Sequence, residues 1–381
     1  MKAPFDGYAR ALVRGLHVLG WLLLAHTFVL ADDPRPGACS GPNEPSFLEK
    51  KRVITKVFSV SHRDRLFVSN QFGDVRINLW DKPEIRSEIT ILGLGVTEEE
   101  ADRFSEAVSI EERREGELIS LETHYANQGN TVGWWQGLRN GQRPKDRGVR
   151  ISYVISLPRY TILEVRSRFS DTVIPEFSAP LKINSQYGNF TANRLMNVDN
   201  DIHVTYGQVN IKQLNEGNLK IYYSKLHLDK AARLRLQNNY GSLNLVEVAD
   251  LDAIIQYSNG KIGTLTENGK LSINYSNHLR LPVLMRTAKT LDVRSNYTSL
   301  NLPVQEDSDL NFNVEISRAS FGWPSNLPIS FERRDDGVTS QGGTGVNRYY
   351  PKYTKTYKGK VGKGGCVVTI VSNYGTVKFV E

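Results

Sequence analysis

An aromatic residue followed by a small one recurs through the middle of this chain, as Tyr187-Gly188, Tyr206-Gly207, Tyr223-Ser224, Tyr240-Gly241, Tyr257-Ser258, Tyr275-Ser276 and Tyr297-Thr298, at intervals of 19, 17, 17, 17, 18 and 22 residues. A unit this short cannot bury its own apolar face, so a regular period of this kind marks a stack of repeats in which each leans on its neighbours. With each aromatic as position zero, apolar residues sit at minus six and minus four (Leu234 and Leu236; Leu251 and Ala253). They resume at plus three, plus five and plus eight (Leu243, Leu245, Val248; Val209, Ile211, Leu214). Each repeat therefore reads as two alternating strands around a tight corner. Strict alternation places positions minus six, minus four, minus two and zero on one inward face. The rings would then stack at the roughly 4.8 Å strand spacing. The small residue after each ring would supply the positive-φ corner.

The outward position at minus five reads Lys182, Asp201, Asn218, Arg235, Asp252, Lys270 and Asp292. Charges of opposite sign tend to neighbour each other, as expected of cross-strand register control. Carboxylates gathered for calcium or acid/base work would not be interleaved with Lys and Arg. The template also fits Leu66, Val68, Phe72-Gly73, Val75 and Ile77; Leu163, Val165, Phe169-Ser170 and Ile174; and Val368, Ile370, Tyr374-Gly375, Val377 and Phe379. The expected fold is thus an all-β solenoid, a single-stranded parallel β-helix with about 17–19 residues per rung, spanning 53–381.

Residues 1–31 have a basic start (Lys2, Arg10, Arg14) and an apolar run from Leu16 to Leu30, ending in small residues before Asp32-Asp33. That is the layout of a secretory signal peptide. The run falls short of the roughly 20 residues of a spanning helix. Residues 32–52, rich in Pro, Gly and Asn at their start, read as a disordered leader. No later run is long enough to span, so no transmembrane segment is expected in the mature chain. Cys39 and Cys366 lie in the leader and on the last rung in sequence, so a stack would hold them near opposite ends. The formal charge is +7, and loss of the signal's net +2 leaves +5. A positive balance suits acidic glycans or anionic headgroups, and export makes nucleic acid the least fitting partner. Between the early strands, Thr97-Glu98-Glu99-Glu100 opens a helix running to about Val108, with Thr97 as its N-cap.

Two insertions break the regularity. Residues 125–150 carry Trp134 and Trp135 followed by Arg139, Arg143, Lys145, Arg147 and Arg150. Residues 317–365 carry Phe321, Trp323, Tyr349, Tyr350, Tyr353 and Tyr357 with nine Lys or Arg against three acids. Loops on a rigid scaffold are the usual place for binding. Aromatic faces beside basic groups suit sugar rings bearing anions. The candidate binding residues are therefore Trp134, Trp135, Arg139, Arg143, Lys145, Arg147, Trp323, Tyr349 and Tyr350. The same aromatics can instead fold back onto the scaffold while the basic groups solvate.

The five histidines after the signal (His62, His124, His203, His227, His278) stand in no metal-ligand spacing, and there is no nucleophile elbow, phosphate loop or zinc-spaced cysteine pair. No catalytic residue, metal or cofactor is expected.

The Asn-Tyr-Gly and Gln-Tyr-Gly corners, Phe72-Gly73-Asp74-Val75 with Trp80 beyond it, the Thr-Glu-Glu-Glu-Ala helix start, and Tyr357-Lys-Gly-Lys-Val-Gly with Ser372-Asn-Tyr-Gly resemble a bacterial family. It is a family of candidate adhesins, exported β-solenoid proteins related to head-GIN-type adhesin domains. The resemblance covers 53–381 and implies a right-handed parallel β-helix at the cell envelope, with no reaction attached. The reading is a non-enzymatic, adhesin-like surface protein that binds acidic or neutral glycan, or another surface component, through its loops. A self-assembling envelope scaffold and a polysaccharide lyase or hydrolase using Asp199, Asp201, Asp250 and Asp252 are the alternatives. The oligomeric state is left open.

Overall fold

The structure, a computed structural model, describes residues 48–126, 148–305, 307–335 and 354–380. The signal segment, most of the leader including Cys39, most of the first insertion and residues 336–353 of the second lie outside the described residues. Contacts divide the chain at residue 44, and the described residues all belong to the second unit, Pro45–Glu381. That unit is all-β, with one helix among its described residues.

The N-terminal part comprises β1 (Leu48–Ser59), β2 (Arg65–Trp80), β3 (Glu84–Gly95), α1 (Glu98–Glu106), β4 (Val108–Glu115), β5 (Leu118–Tyr125) and β6 (Gly148–Pro158). β1 pairs antiparallel with β3, and β3 with β6, whereas β2 pairs in parallel with β5 and β6. The helix is where the acidic run places it. Thr97 Oγ1 accepts from Glu100 N at 3.2 Å, and Glu100 Oε2 accepts from Val96 N at 2.9 Å, so the first orphan donors are met. Phe104 and Ala101 bury the inner face against β3 and β1, and Arg52 donates to the Ser105 and Val108 carbonyls at the other end. Beneath lies a buried polar knot. Asn70 Nδ2 donates to Ile151 O (3.0 Å) and Ser170 Oγ (3.1 Å), while Thr123 Oγ1 donates to Asn70 Oδ1 (3.3 Å) and lies 2.7 Å from Tyr153 Oη.

The central part continues as β7 (Ile162–Phe177), β8 (Leu181–Gln186), β9 (Phe190–Leu195), β10 (Asn200–Thr205), β11 (Gln208–Tyr222), β12 (Lys225–Asn239), β13 (Ser242–Gln256) and β14 (Asn259–Asn274). All pair in parallel, and each register offset equals the sequence interval. Gln208 faces Lys225, Lys225 faces Ser242 and Ser242 faces Asn259. The interval of 18 is a register shift between Val248 and Asp250, where β14 carries one residue more than β13. β7 gives its first half to β8 and its second to β9, and β11 joins β9 and β10 in the same way. Strands β7, β8, β10, β11 and β9 therefore close into a ring of five parallel strands. On these strands Leu163, Ile183, Phe190, Ile202, Ile211 and Leu219 are among the fully or nearly fully buried side chains.

Past β14 come β15 (Leu279–Arg280), β16 (Val283–Leu284), β17 (Thr290–Asn296), β18 (Ser299–Pro303), β19 (Leu310–Ser317), β20 (Ser320–Gly322), β21 (Ile329–Arg334), β22 (Thr354–Val361), β23 (Cys366–Asn373) and β24 (Thr376–Val380). Here space departs from sequence. β23 lies in parallel between β17 and β19, and β24 between β18 and β20. Cys366 is thus not on the terminal rung. The far side of β19 is covered instead by an antiparallel hairpin, β22 with β21 outermost. The expected long loop at 317–365 is in large part β20, β21 and β22. Sequence order could not reveal this, because the last strand matches its neighbours as well as any consecutive strand would.

This arrangement can be tested at two points. A Val371→Pro change alters an outward side chain but removes a ladder bond in a strand paired on both sides. It should loosen the terminal part, so that trypsin cuts after Arg318 much faster than in the parent chain; equal cleavage rates would refute the central placement of β23. Burial pushes the Tyr153 phenol up to about 12, against an ordinary 10.0, with the Thr123 bond opposing the shift. The neutral phenol is favoured in the fold, so its contribution is complete below the unfolded value and is lost as pH rises through the folded one. Tyr153→Phe should cost about 0.5–1.5 kcal/mol at neutral pH. It should also flatten the fall in stability between pH 10 and 12 by up to about 1.4 kcal/mol per pH unit, read by denaturant titration.

Candidate ligand-binding surface

The corners build the most regular surface of the molecule. Phe72, Phe169, Tyr187, Tyr206, Tyr223, Tyr240, Tyr257, Tyr275, Tyr297 and Tyr374 all have φ between 49° and 63°. The left-handed residue is therefore the aromatic itself, whereas the small residue after it was expected in that role. This conformation reverses the side-chain parity, which is why apolar positions are even before the corner and odd after it. From Tyr187 onward the rings consequently leave the interior, whereas Phe72 stays buried. Tyr206 through Tyr297 are 46–49% exposed, which corrects the expected inward face, and the next residue turns in: Ser224, Ser258, Ser276 and Thr298 are buried.

Those small residues are demanded by close approach. A Cβ on Gly207 would stand 2.0 Å from Gly188 O, and one on Gly241 2.2 Å from Ser224 O. Where Ser or Thr occupies the place, its hydroxyl knits the corner. Ser224 Oγ donates to Tyr222 O (2.6 Å) and accepts from Gly207 N (2.9 Å). Ser276 and Thr298 repeat the pattern, each accepting from the corner amide of the preceding rung.

Outside, the rings form one stack. Successive centroids from Phe169 to Tyr374 are 4.7–5.0 Å apart with interplanar angles of 1–13°. Phe72 joins at 5.7 Å, and Tyr125 meets Phe72 edge-on at 6.1 Å. At the other end Arg318, also left-handed, takes the corner position. Its guanidinium lies 5.3 Å from the Tyr374 centroid and donates to Tyr374 Oη. Beside the stack runs a groove of about 780 Å³, floored by Gly207, Ser224 and Gly241. One wall is Tyr206, Tyr223, Tyr240 and Tyr257, and the other is Gln208, Lys225, Ser242 and Asn259.

A second groove, of about 670 Å³, opens between the β4–β5 hairpin and strands β7, β8 and β10. Its charges are mixed and partly satisfy each other, as in Arg166–Glu164 at 3.0 Å and Lys182–Glu164 at 3.3 Å. Asp199 and Asp201 line it, whereas Asp250 and Asp252 line a third groove of about 490 Å³. Asp201 faces Asn218, which faces Arg235, which faces Asp252. The two carboxylate pairs therefore stand three strand spacings apart, about 14 Å. Among the described residues, no cluster of three or more His, Cys, Asp or Glu could hold a metal ion. No helix there is long and apolar enough to cross a membrane.

Of the sequence-selected binding residues, Trp134, Trp135, Arg139, Arg143, Lys145, Arg147, Tyr349 and Tyr350 lie outside the described residues. The segments that carry them are anchored at opposite ends: 127–147 between β5 and β6, and 336–353 between β21 and β22. Trp323 lies within 5.1 Å (centroids) of Phe321 and Phe331, with the Arg334 guanidinium 5.1 Å from its ring. With Phe312, Tyr357 and Phe379 these rings close the C-terminal end of the core. The groove beside the tyrosines was not anticipated. Its signal was the odd seven-residue step from minus four to plus three, which only a parity reversal at the corner explains.

No family profile matches the chain, and no curated relative matches it. Among solved structures it is similar to a candidate cell-adhesion protein from Clostridium sporogenes, at 10% identity over 87% of this chain and 99% of that one, with a TM-score of 0.22. A candidate adhesin from Bacteroides fragilis aligns at 9% identity over 86% and 97%, TM-score 0.27. One from Parabacteroides merdae aligns at 10% over 87% and 97%, TM-score 0.26. Superpositions this loose define no common site.

The stack itself can be tested. Tyr240→Phe should leave stability within about 0.5 kcal/mol, since Phe72 and Phe169 hold the same position. Tyr240→Ala keeps a left-handed Cβ-bearing residue but loses two ring contacts, and should cost about 1–3 kcal/mol in denaturant unfolding. Equal values for the two variants would refute a stabilising role for the stack.

Proposed function

We propose that this chain is an exported, adhesin-like recognition module of the cell surface: a right-handed parallel β-solenoid that displays binding segments and carries no reaction of its own. The observation that carries the reading is the unbroken parallel stack from β2 to β19, ten strand steps or roughly 48 Å long. Two basic, aromatic-rich segments depart from opposite ends of that stack. A rigid scaffold of this kind limits the ordering cost of the loops it presents. Tryptophan and arginine side by side suit sugar rings, neutral or carrying carboxylate or sulfate groups.

The alternatives are less favoured by the geometry. The glycosidase arrangement places two carboxyl groups about 5–9.5 Å apart around one bond, whereas one carboxylate of each aspartate pair is taken up by a neighbouring asparagine, Asp201 by Asn218 at 3.2 Å and Asp250 by Asn268 at 2.7 Å. End-to-end assembly would have to pair the outermost strands, of which β1 carries Lys50, Lys51, Arg52 and Lys56 and β21 carries Arg333 and Arg334. Lysine and arginine on an edge strand oppose pairing.

The test is a glycan array probed with the purified chain beside a Trp134→Ala/Trp135→Ala variant. Binding by the parent, weakened at least tenfold in the variant, is the expected result. Absence of binding by both proteins would set the recognition role aside.

A further inference from the structure

We propose that the groove beside the tyrosine stack is a binding site for a linear, unbranched, uncharged polysaccharide laid along the stack axis, one sugar to each rung. This rests on the recognition role above but assigns it a site whose lining residues belong to neither insertion.

The shape limits what can enter. The floor has no side chain at Gly207 and Gly241, and only a hydroxyl at Ser224 that is already engaged with Tyr222 O and Gly207 N. The trench is therefore shallow and open lengthwise, which suits a thin, extended chain lying along it. The walls repeat at the ring spacing, 4.8–5.0 Å for Tyr206 through Tyr257. A polypeptide strand advances about 3.3 Å per residue and 6.6 Å per like-facing pair, so it falls out of phase within two rungs. A nucleic-acid strand spaces its phosphates at about 3.4 Å and requires a cation for each contact. Lys225 is the only charged side chain lining the groove, so the wall neutralises almost nothing. A pyranose chain places one ring, with hydroxyls on both edges, at a repeat close to that of the rungs.

The chemistry of the walls agrees. The ring faces are covered by one another, so a sugar cannot stack on them as on an isolated tryptophan. What the stack presents is its phenol hydroxyls and the electropositive ring edges, both suited to sugar oxygens. Opposite them, Gln208, Lys225, Ser242 and Asn259 supply donors, and all but Lys225 also accept. Each rung thus offers a polar group on either side of the trench. The roughly half-exposed tyrosines meet the ligand without rearrangement, which limits the entropy lost on binding.

The experiment is isothermal titration of the full chain with cellohexaose, xylohexaose, mannohexaose and chitohexaose, and with the shorter members of whichever series binds. Affinity should rise with chain length up to about four sugars, the number of tyrosines lining the wall, and then level off. Ser242→Trp, which fills the trench, should weaken binding at least tenfold. So should the triple change Tyr206→Phe, Tyr223→Phe and Tyr240→Phe, which keeps the rings and removes the hydroxyls; far-UV dichroism and the unfolding midpoint confirm that both variants fold. Trp134→Ala/Trp135→Ala is titrated beside them, because a loss there that the groove variants do not share assigns the binding to the insertion. Failure of all four hexasaccharides to bind overturns the proposal, as does binding that both groove variants retain. Binding lost in the tryptophan variant alone overturns the groove while leaving the recognition role intact.

Discussion

Ten corners of this protein turn through an aromatic residue held in a left-handed backbone conformation. For a residue with a Cβ that conformation costs roughly 1–2 kcal/mol, and a stacked ring pair returns about 0.5–1.5 kcal/mol. The two are of similar size, so a single such corner is not favoured alone. A run of them is tolerated because each ring touches the one before and the one after. This mutual support governs much else. The corner residue's parity reversal sets which side chains face the core, the next residue must be small because it meets the previous backbone, and strand offsets must match the ring intervals. The stack also needs ends. Tyr125 meets Phe72 edge-on, and Arg318 stands where an eleventh ring would be, with its guanidinium against Tyr374.

The edges of the sheet are managed with equal care. A parallel stack leaves unpaired backbone groups on its first and last strands, which invites pairing with other chains. Here antiparallel strands cover both ends: β3 and β1 beyond β6, and β22 and β21 beyond β19. The outermost strands carry Lys and Arg. Under the C-terminal cover, Phe312, Phe321, Trp323, Phe331, Tyr357 and Phe379 fill the space that a further rung would have filled.

Much of this was legible in the sequence, for a physical reason. The strand offsets and the sites of closest backbone approach are local and periodic, so they repeat in the letters; Tyr-Gly and Tyr-Ser mark them directly. Helix α1 was equally plain, because Thr97 accepts from the Glu100 amide, Glu100 reaches back to the Val96 amide, and three glutamates stand at the positive end of the helix. What was misread was the direction of the ring. Tyrosine is apolar enough to suit a core, and its left-handed backbone is not a property that alternation alone displays. The order of the last strands was hidden more deeply. Val368, Ile370 and Tyr374 would fit beside any rung, so pattern matching cannot tell a terminal strand from an inserted one. The minus-five residues do face each other across strands, Lys182 to Asp201 and Arg235 to Asp252 to Lys270, but the contacts made along that row are Lys182–Glu164 and Asn218–Asp201.

The inserted strand also constrains how the chain can be made. β23 and β24 are synthesised after β17 to β20, yet they lie between them, with β17 and β18 on one side and β19 and β20 on the other. Until they arrive, the ring stack ends at Tyr297, and Arg318 has no Tyr374 ring to dock upon. The fold therefore cannot be finished by vectorial growth from the N-terminus. It closes only once residues 366–380 join β17 and β18 to β19 and β20. A chain interrupted just before Cys366 would lack two strands and also leave the neighbours on either side of them apart, so completion of these few residues governs a whole end of the stack.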